Sequence, residues 1–211
     1  MQAVTVTRII LLTGEVEAPI LSGLLRDQNP KLDIIAATSP AALEEAAKTV
    51  DSGTRLLSFC SPVIVPAGLL KALPGPAYNF HPGPPERPGR YPSVFALYDN
   101  AQQFGITVHE MLASVDSGPI VAAEWFSVPD DCLLQDLEEL TLKHLVTAFY
   151  RLTPHLANKR EPLPRLRYVW SGRKTTKAEC DALAVISADM DDVEATRRRR
   201  ACGVHMLRVI P

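Results

Sequence analysis

The four cysteines, Cys60, Cys132, Cys180 and Cys202, are too widely spaced to form any Cys-x-x-Cys pair. They suggest neither a zinc site nor a disulfide framework, so reduced and mostly buried thiols are expected. Apolar runs long enough to span a bilayer are missing too, since Arg8-Ile9-Ile10-Leu11-Leu12 breaks off at Thr13-Gly14. The N-terminus shows no basic segment followed by an apolar stretch and a small-residue cleavage site, and a soluble, cytoplasmic protein with no membrane partner is expected. Neither sign of charge is in excess. The 22 Lys plus Arg against 24 Asp plus Glu leave a formal charge of −2, which gives no electrostatic case for nucleic acid as a partner. Gly14 stands alone after the first predicted strand, without a Gly-x-Gly-x-x-Gly or Walker-type pattern, so dinucleotide and nucleoside triphosphate binding have no support. No internal repeat or low-complexity segment is found.

What is there is a chain of 211 residues with 46% hydrophobic content, enough for one full core and a small appendage. Val4 to Leu12, Leu32 to Ala37, Arg55 to Cys60 and Ala77 to His81 read as strands. Between them lie helical patterns at Ala18 to Arg26, from Ser39-Pro40 with Ser39 as N-cap, and after Pro66. This alternation predicts an α/β fold with a Rossmann-like, mostly parallel sheet flanked by helices. A helix from Ser93 to Tyr98 follows, then an antiparallel strand pair within 104–128. Pro129-Asp130-Asp131 is expected to cap a long helix whose face is formed by Leu134, Leu137, Leu140, Leu145, Phe149 and Leu152.

Beyond Pro154 the composition shifts towards proline and basic residues. An irregular segment is expected through Lys177, then a final helix from about Asp191 to Cys202. The division is thus a main domain over 1–157 and a short C-terminal tail over 158–211. Arg197 to Arg200 point about 100° apart on that last helix, which predicts a solvated face rather than one basic patch.

The stretch from 77 to 120 carries the candidate chemistry. In Tyr78-Asn79-Phe80-His81 the period of two puts Asn79 and His81 on one face of a strand that runs into a Pro/Gly-dense loop. If Asp116, on the turn before Gly118-Pro119, reaches the imidazole, an amide donor and an imidazolium face a developing oxyanion while the carboxylate orients the ring. That is acyl-transfer machinery without a protein nucleophile. Taken singly, the three residues also read as a cap, a core histidine and a turn aspartate.

Asn79-Phe80-His81-Pro82, Gly89 and Pro92, Gly105-Ile106-Thr107-Val108-His109 and Val115-Asp116-Ser117-Gly118-Pro119-Ile120 resemble, in order and nearly in spacing, the motif set of the 10-formyltetrahydrofolate-dependent formyltransferases. Gly14 to Leu21, and Arg173-Lys174-Thr175 with Arg200-Ala201, are similar to the methionyl-tRNA and sugar branch rather than to glycinamide ribonucleotide formyltransferase. The resemblance implies that Asn79, His81 and Asp116 are catalytic and that 10-formyltetrahydrofolate is the formyl donor. It also implies that Val63, Ile64 and Val65, with Met111, Leu112, Val115 and Asp116, hold the donor mainly through backbone groups. A primary amine on a small molecule, plausibly a nucleotide-linked amino sugar, is the expected acceptor. His109 matches a motif histidine whose role is equally well structural.

One segment departs from the family pattern. His81-Pro82-Gly83-Pro84-Pro85-Glu86-Arg87-Pro88-Gly89 is shorter and richer in proline than the family's loop, which implies an altered or lost acceptor. A 10-formyltetrahydrofolate hydrolase and a catalytically silent folate-binding protein are therefore the alternative readings. No metal is expected, because His81, His109 and Asp116 lack a metal-ligand spacing. The long helix and the basic tail are candidate contacts for a homodimer.

Overall fold

After Arg8, the run Ile9-Ile10-Leu11-Leu12 offers no polar side chain, so both faces of any strand it forms must be covered. In the computed structural model, which describes residues 5–171 and 173–210, β1 (Arg8–Leu12) meets this demand. It pairs in parallel with β2 (Asp33–Ala37) on one side and β3 (Thr54–Phe59) on the other, and Ile9 to Leu12 are 0% exposed. β4 (Tyr78–His81) pairs in parallel with β3, setting Asn79 opposite Ser58. With β5 (Gln103–Glu110) and β6 (Ile120–Ser127) the sheet order is β2-β1-β3-β4-β5-β6. The α/β architecture with a mostly parallel sheet and flanking helices is as expected.

The chain forms two compact units. The first runs as far as His81 and takes in Val108–Ala122 and Leu145–Tyr168; the second takes Pro82–Thr107, Ala123–His144 and the chain from Val169 onward. In the first unit, α1 (Glu17–Gln28), α2 (Pro40–Ala47) and α3 (Ala67–Ala72) connect the parallel strands. Ser39 caps α2 by accepting from the Ala42 N–H at 3.1 Å. Leu43, Ala46, Val65 and Leu69 pack with Ile10, Leu12 and Leu56. A separate aromatic group joins Phe59, Phe80 and Phe149, whose ring centroids lie 5.0–5.8 Å apart. The second unit contains α4 (Pro92–Tyr98), α6 (Lys177–Leu183) and α7 (Asp192–Cys202), packed through Val94, Leu97, Leu183 and Cys202 with Phe104 and Leu137.

The long helix α5 (Leu134–Leu156) runs through Pro154, which lacks the N–H that would bond the Tyr150 carbonyl. The Thr153 hydroxyl donates to that carbonyl instead, at 2.7 Å. At the helix C-terminus, where backbone carbonyls have no intrahelical partner, Arg55 of β3 supplies the donors. Its Nη1 donates to Leu156 O at 2.8 Å and its Nη2 to Arg160 O at 3.4 Å. Burial pulls the Arg55 pKa below its usual value, with Tyr78 nearby opposing the shift. Arg55→Met keeps the stem but leaves those carbonyls without donors. We expect a loss of about 2–3 kcal/mol, read as a lower urea midpoint with an unchanged slope.

Several boundaries differ from those read in the sequence. The first strand starts at Arg8; Val4 lies outside the described residues, and 5–7 are irregular although Val6 is buried. Pro129-Asp130-Asp131 do not cap α5, because the Asp136 carboxylate takes the Leu133 N–H at 3.0 Å and the helix begins at Leu134. The irregular segment ends where α6 begins, at Lys177, and this helix, not anticipated from the sequence, is opened by a Thr176/Glu179 capping box. The tail also holds a two-stranded parallel sheet of β7 (Val185–Ser187) and β8 (Arg208–Ile210). The arginines of α7 are not simply solvated. Arg200 donates to Asp130 O, Cys132 O and Asn100 Oδ1 at 2.8–3.1 Å, Arg198 pairs with Glu194, and Arg197 lies over the Tyr98 ring.

Candidate active site

The alternation in β4 places its residues as the sequence predicts. Tyr78 and Phe80 are fully buried, and Asn79 and His81 share the other face. β5 ends at His109-Glu110, and the following turn is closed by two main-chain bonds: Met111 N–H to Ala77 O at 2.8 Å and Glu110 N–H to Pro119 O at 2.9 Å. Within this turn Asp116 adopts a left-handed conformation, φ 44°, which aspartate tolerates better than most residues. Gly118 packs so tightly that a Cβ there would lie 1.8 Å from the Glu110 carbonyl oxygen.

The turn brings Asp116, 3% exposed, between two imidazoles. Its Oδ2 is 3.6 Å from His81 Nδ1, a charge contact longer than a hydrogen bond, and its Oδ1 is 3.3 Å from His109 Nε2. Asn79 Nδ2 lies 3.2 Å from the same His109 Nε2, and His109 Nδ1 lies 2.8 Å from Glu110 O. A carbonyl oxygen can only accept, so His109 Nδ1 carries a proton. In a neutral ring Nε2 then accepts from the Asn79 amide. In a charged ring it donates to Asp116, and the amide must turn its oxygen inward. The network thus has two protonation states with different hydrogen-bond directions.

Asn79, His81 and Asp116 are therefore brought together, with His109 as the link between Asn79 and Asp116. The sequence left that role open, since neighbours 30 residues apart leave no periodic trace. Val63, Ile64, Val65, Met111, Leu112, Val115 and Asp116 all line one cleft of about 60 Å³, which Asn79 and His109 also border. His81, 3% exposed, is not among its lining residues and meets the group through Asp116. Among the described residues, no group of three or more His, Cys, Asp or Glu is arranged to hold a metal ion. No helix among them is long and apolar enough to cross a membrane.

In the second unit, the proline-rich loop after His81 is held by main-chain bonds. Thr175 accepts from Arg90 N–H at 2.9 Å and donates its own N–H to Pro88 O at 3.0 Å, while Ser171 N–H bonds Pro85 O at 3.0 Å. Gly89, at φ 101°, lies so near Thr175 that a Cβ would meet its oxygen at 2.3 Å. The Arg173-Lys174-Thr175 segment thus serves as a brace for the loop. Glu86 and Arg87 from the loop, with Phe95, Tyr98, Arg173 and Arg198, line a cavity of about 600 Å³. Its arginines are matched by carboxylates, Arg87 with Asp99, Arg173 with Glu179 and Arg198 with Glu194.

No protein-family model matches the sequence. The curated dTDP-4-amino-4,6-dideoxyglucose formyltransferase of Mycobacterium tuberculosis is 30% identical over 64% of this chain and 64% of its own length, so the match spans just under two thirds of that relative. The 4-N formyltransferase of Francisella tularensis superposes with a TM-score of 0.69 at 20% identity, over 93% of this chain and 88% of that one. The N-formyltransferase of Helicobacter canadensis, solved with folinic acid and dTDP-3-aminofucose, gives 0.69 at 15% identity, over 93% and 80%. At these identities the structural likeness is one of fold. The chain thus shares its fold with these sugar N-formyltransferase structures, and its sequence match to a curated formyltransferase covers 64% of each chain.

Proposed function

We propose that the chain transfers a formyl group from 10-formyltetrahydrofolate to a primary amine, and that the acceptor is a nucleotide-linked amino sugar. The observation that carries this reading is the Asp116 carboxylate held between His81 and His109 beside the Asn79 amide. The cleft next to it suits a flat, hydrogen-bonding donor. Ile64, Leu112 and Val115 leave 58%, 50% and 43% of their surface exposed at its edge, apolar area that a bound ring would cover. The acceptor class follows the names of the relatives, one acting on a dTDP-amino sugar and another solved with one.

Bound donor supplies an activated formyl carbon. The amine nitrogen attacks that carbon, forming the new C–N bond. One hydrogen of the Asn79 amide serves His109; the other, with His81, meets the oxygen on which charge develops. Asp116, linked to both rings, takes the proton that the amine loses. That proton returns to the donor nitrogen as its bond to the formyl carbon breaks, so the proton count is unchanged overall. The products are a formamide and tetrahydrofolate.

The test is to follow tetrahydrofolate formation while supplying dTDP- and UDP-linked amino sugars and simple primary amines. Release stimulated at least tenfold by a nucleotide-linked amine, with the formamide as product, is expected. Equal release in water alone would replace the proposal with a hydrolase, and folate binding without turnover would replace it with a binding protein. Asn79→Ala removes one oxyanion donor and should lower kcat about a hundred- to a thousandfold, with little effect on donor affinity, as measured by steady-state kinetics and donor titration.

A further inference from the structure

Glu110 is buried, 6% exposed, and a buried carboxylate is costly unless both oxygens are satisfied. Arg165, 55 residues further on, satisfies both: Nε reaches Oε1 at 2.9 Å and Nη2 reaches Oε2 at 2.8 Å, a two-point fork. Arg165 lies on a strap tied down on either side. Leu163 N–H donates to the Tyr78 hydroxyl at 2.8 Å, and Leu166 N–H donates to Ile120 O at 2.7 Å. The main chain of Glu110 is equally committed, its N–H to Pro119 O and its carbonyl to His109 Nδ1. Side chain and carbonyl of one residue thus connect the strap to the imidazole.

We propose that Arg165 and Glu110 are a positioning pair that fixes the protonation pattern of His109, and through it the orientation of the Asn79 amide towards Asp116. The pair acts in two ways. It holds the Glu110 carbonyl where His109 Nδ1–H can use it, leaving Nε2 to accept from Asn79. It also neutralises a second carboxylate one residue from His109, so that its charge does not add to that of Asp116 at the ring. The charged and titratable groups around Glu110 are Arg165, Tyr78 and His109, with His81 and Asp116 next in line. Without the guanidinium, the uncompensated carboxylate favours a doubly protonated His109, whose Nε2–H opposes the Asn79 N–H. The kinetic part of this inference rests on the formyl-transfer reading; the effect on His109 does not.

The experiment uses the full chain carrying ring-15N histidine, with His109 assigned through a His109→Gln difference spectrum. In the parent protein, long-range 15N–1H correlations should show the Nδ1–H that Glu110 O accepts and an Nε2 that accepts from Asn79. Arg165→Met should move the ring towards the doubly protonated form. It should also lower kcat about ten- to a hundredfold and shift the acid limb of the kcat profile upward. Arg165→Lys should restore part of each effect, and adding Glu110→Gln to Arg165→Met should return the acid limb towards the parent. An unchanged His109 spectrum in Arg165→Met overturns the proposal, as does a fall in stability with no movement of the ring signals or the acid limb. Should no donor and acceptor pair turn over at all, the formyl-transfer reading fails, and the ring spectra still decide the role of the pair.

Discussion

Asp116→Asn is expected to keep the fold and donor binding while lowering kcat by about three to four orders of magnitude. The substitution changes charge and hydrogen-bonding sense but little else. Asparagine adopts the left-handed backbone as readily as aspartate, so the φ of 44° at this position brings no new strain. The amide, however, has one oxygen and one nitrogen where the carboxylate offers two acceptors. One of its two imidazole neighbours, His81 Nδ1 at 3.6 Å or His109 Nε2 at 3.3 Å, then loses its anionic partner, and the proton leaving the amine has no carboxylate to receive it. Thermal unfolding and donor titration should match the parent, and single-turnover rates should carry the whole loss. Activity within tenfold of the parent would remove Asp116 from the proposed chemistry.

Gly118→Ala should be the most damaging single methyl in the first unit. The added Cβ would lie 1.8 Å from Glu110 O and 2.9 Å from its carbonyl carbon, and those are backbone atoms that cannot swing aside. Relief requires the end of β5 to part from the turn, which breaks the Glu110–Pro119 bond and displaces the carbonyl bonded to His109. A loss of about 3 kcal/mol is expected from overpacking a site that cannot relax, together with a fall in kcat beyond what the unfolded fraction explains. Gly23→Ala is the control. It lies within α1, where a Cβ would meet nothing within 4 Å, and alanine there should stabilise by roughly 0.5–1 kcal/mol. Equal urea midpoints for Gly118→Ala and the parent would contradict the close approach on which the turn depends.

What could be read from the chain, and what could not, follows from the range of each interaction. Alternation over four residues was enough to set Asn79 and His81 side by side, and Ser39 before Pro40 announced the cap of α2. Asp116 is different: its side chain reaches His81 only because a turn and two strands are already in place, so composition alone left it as a turn residue and the motif resemblance was needed. The Glu110–Arg165 fork spans 55 residues and has no local pattern. Thr176-Lys177-Ala178-Glu179 does carry a capping-box spacing, which the basic and proline-rich surroundings obscured. β7 and β8 are three residues each, too short for alternation to register. The cap of α5 was misplaced because the acceptor lies inside the helix, at Asp136, and not ahead of it.

The strap around Arg165 also has a consequence for synthesis. Asn79 and His81 leave the ribosome first, followed by His109 and Asp116, while the residues that bond Tyr78, Ile120 and Glu110 come only with 163–166. A nascent chain interrupted between Asp116 and the strap contains every proposed catalytic residue and lacks the arginine that offsets the Glu110 carboxylate. On the proposed chemistry, competence is therefore tied to residues made well after the site itself.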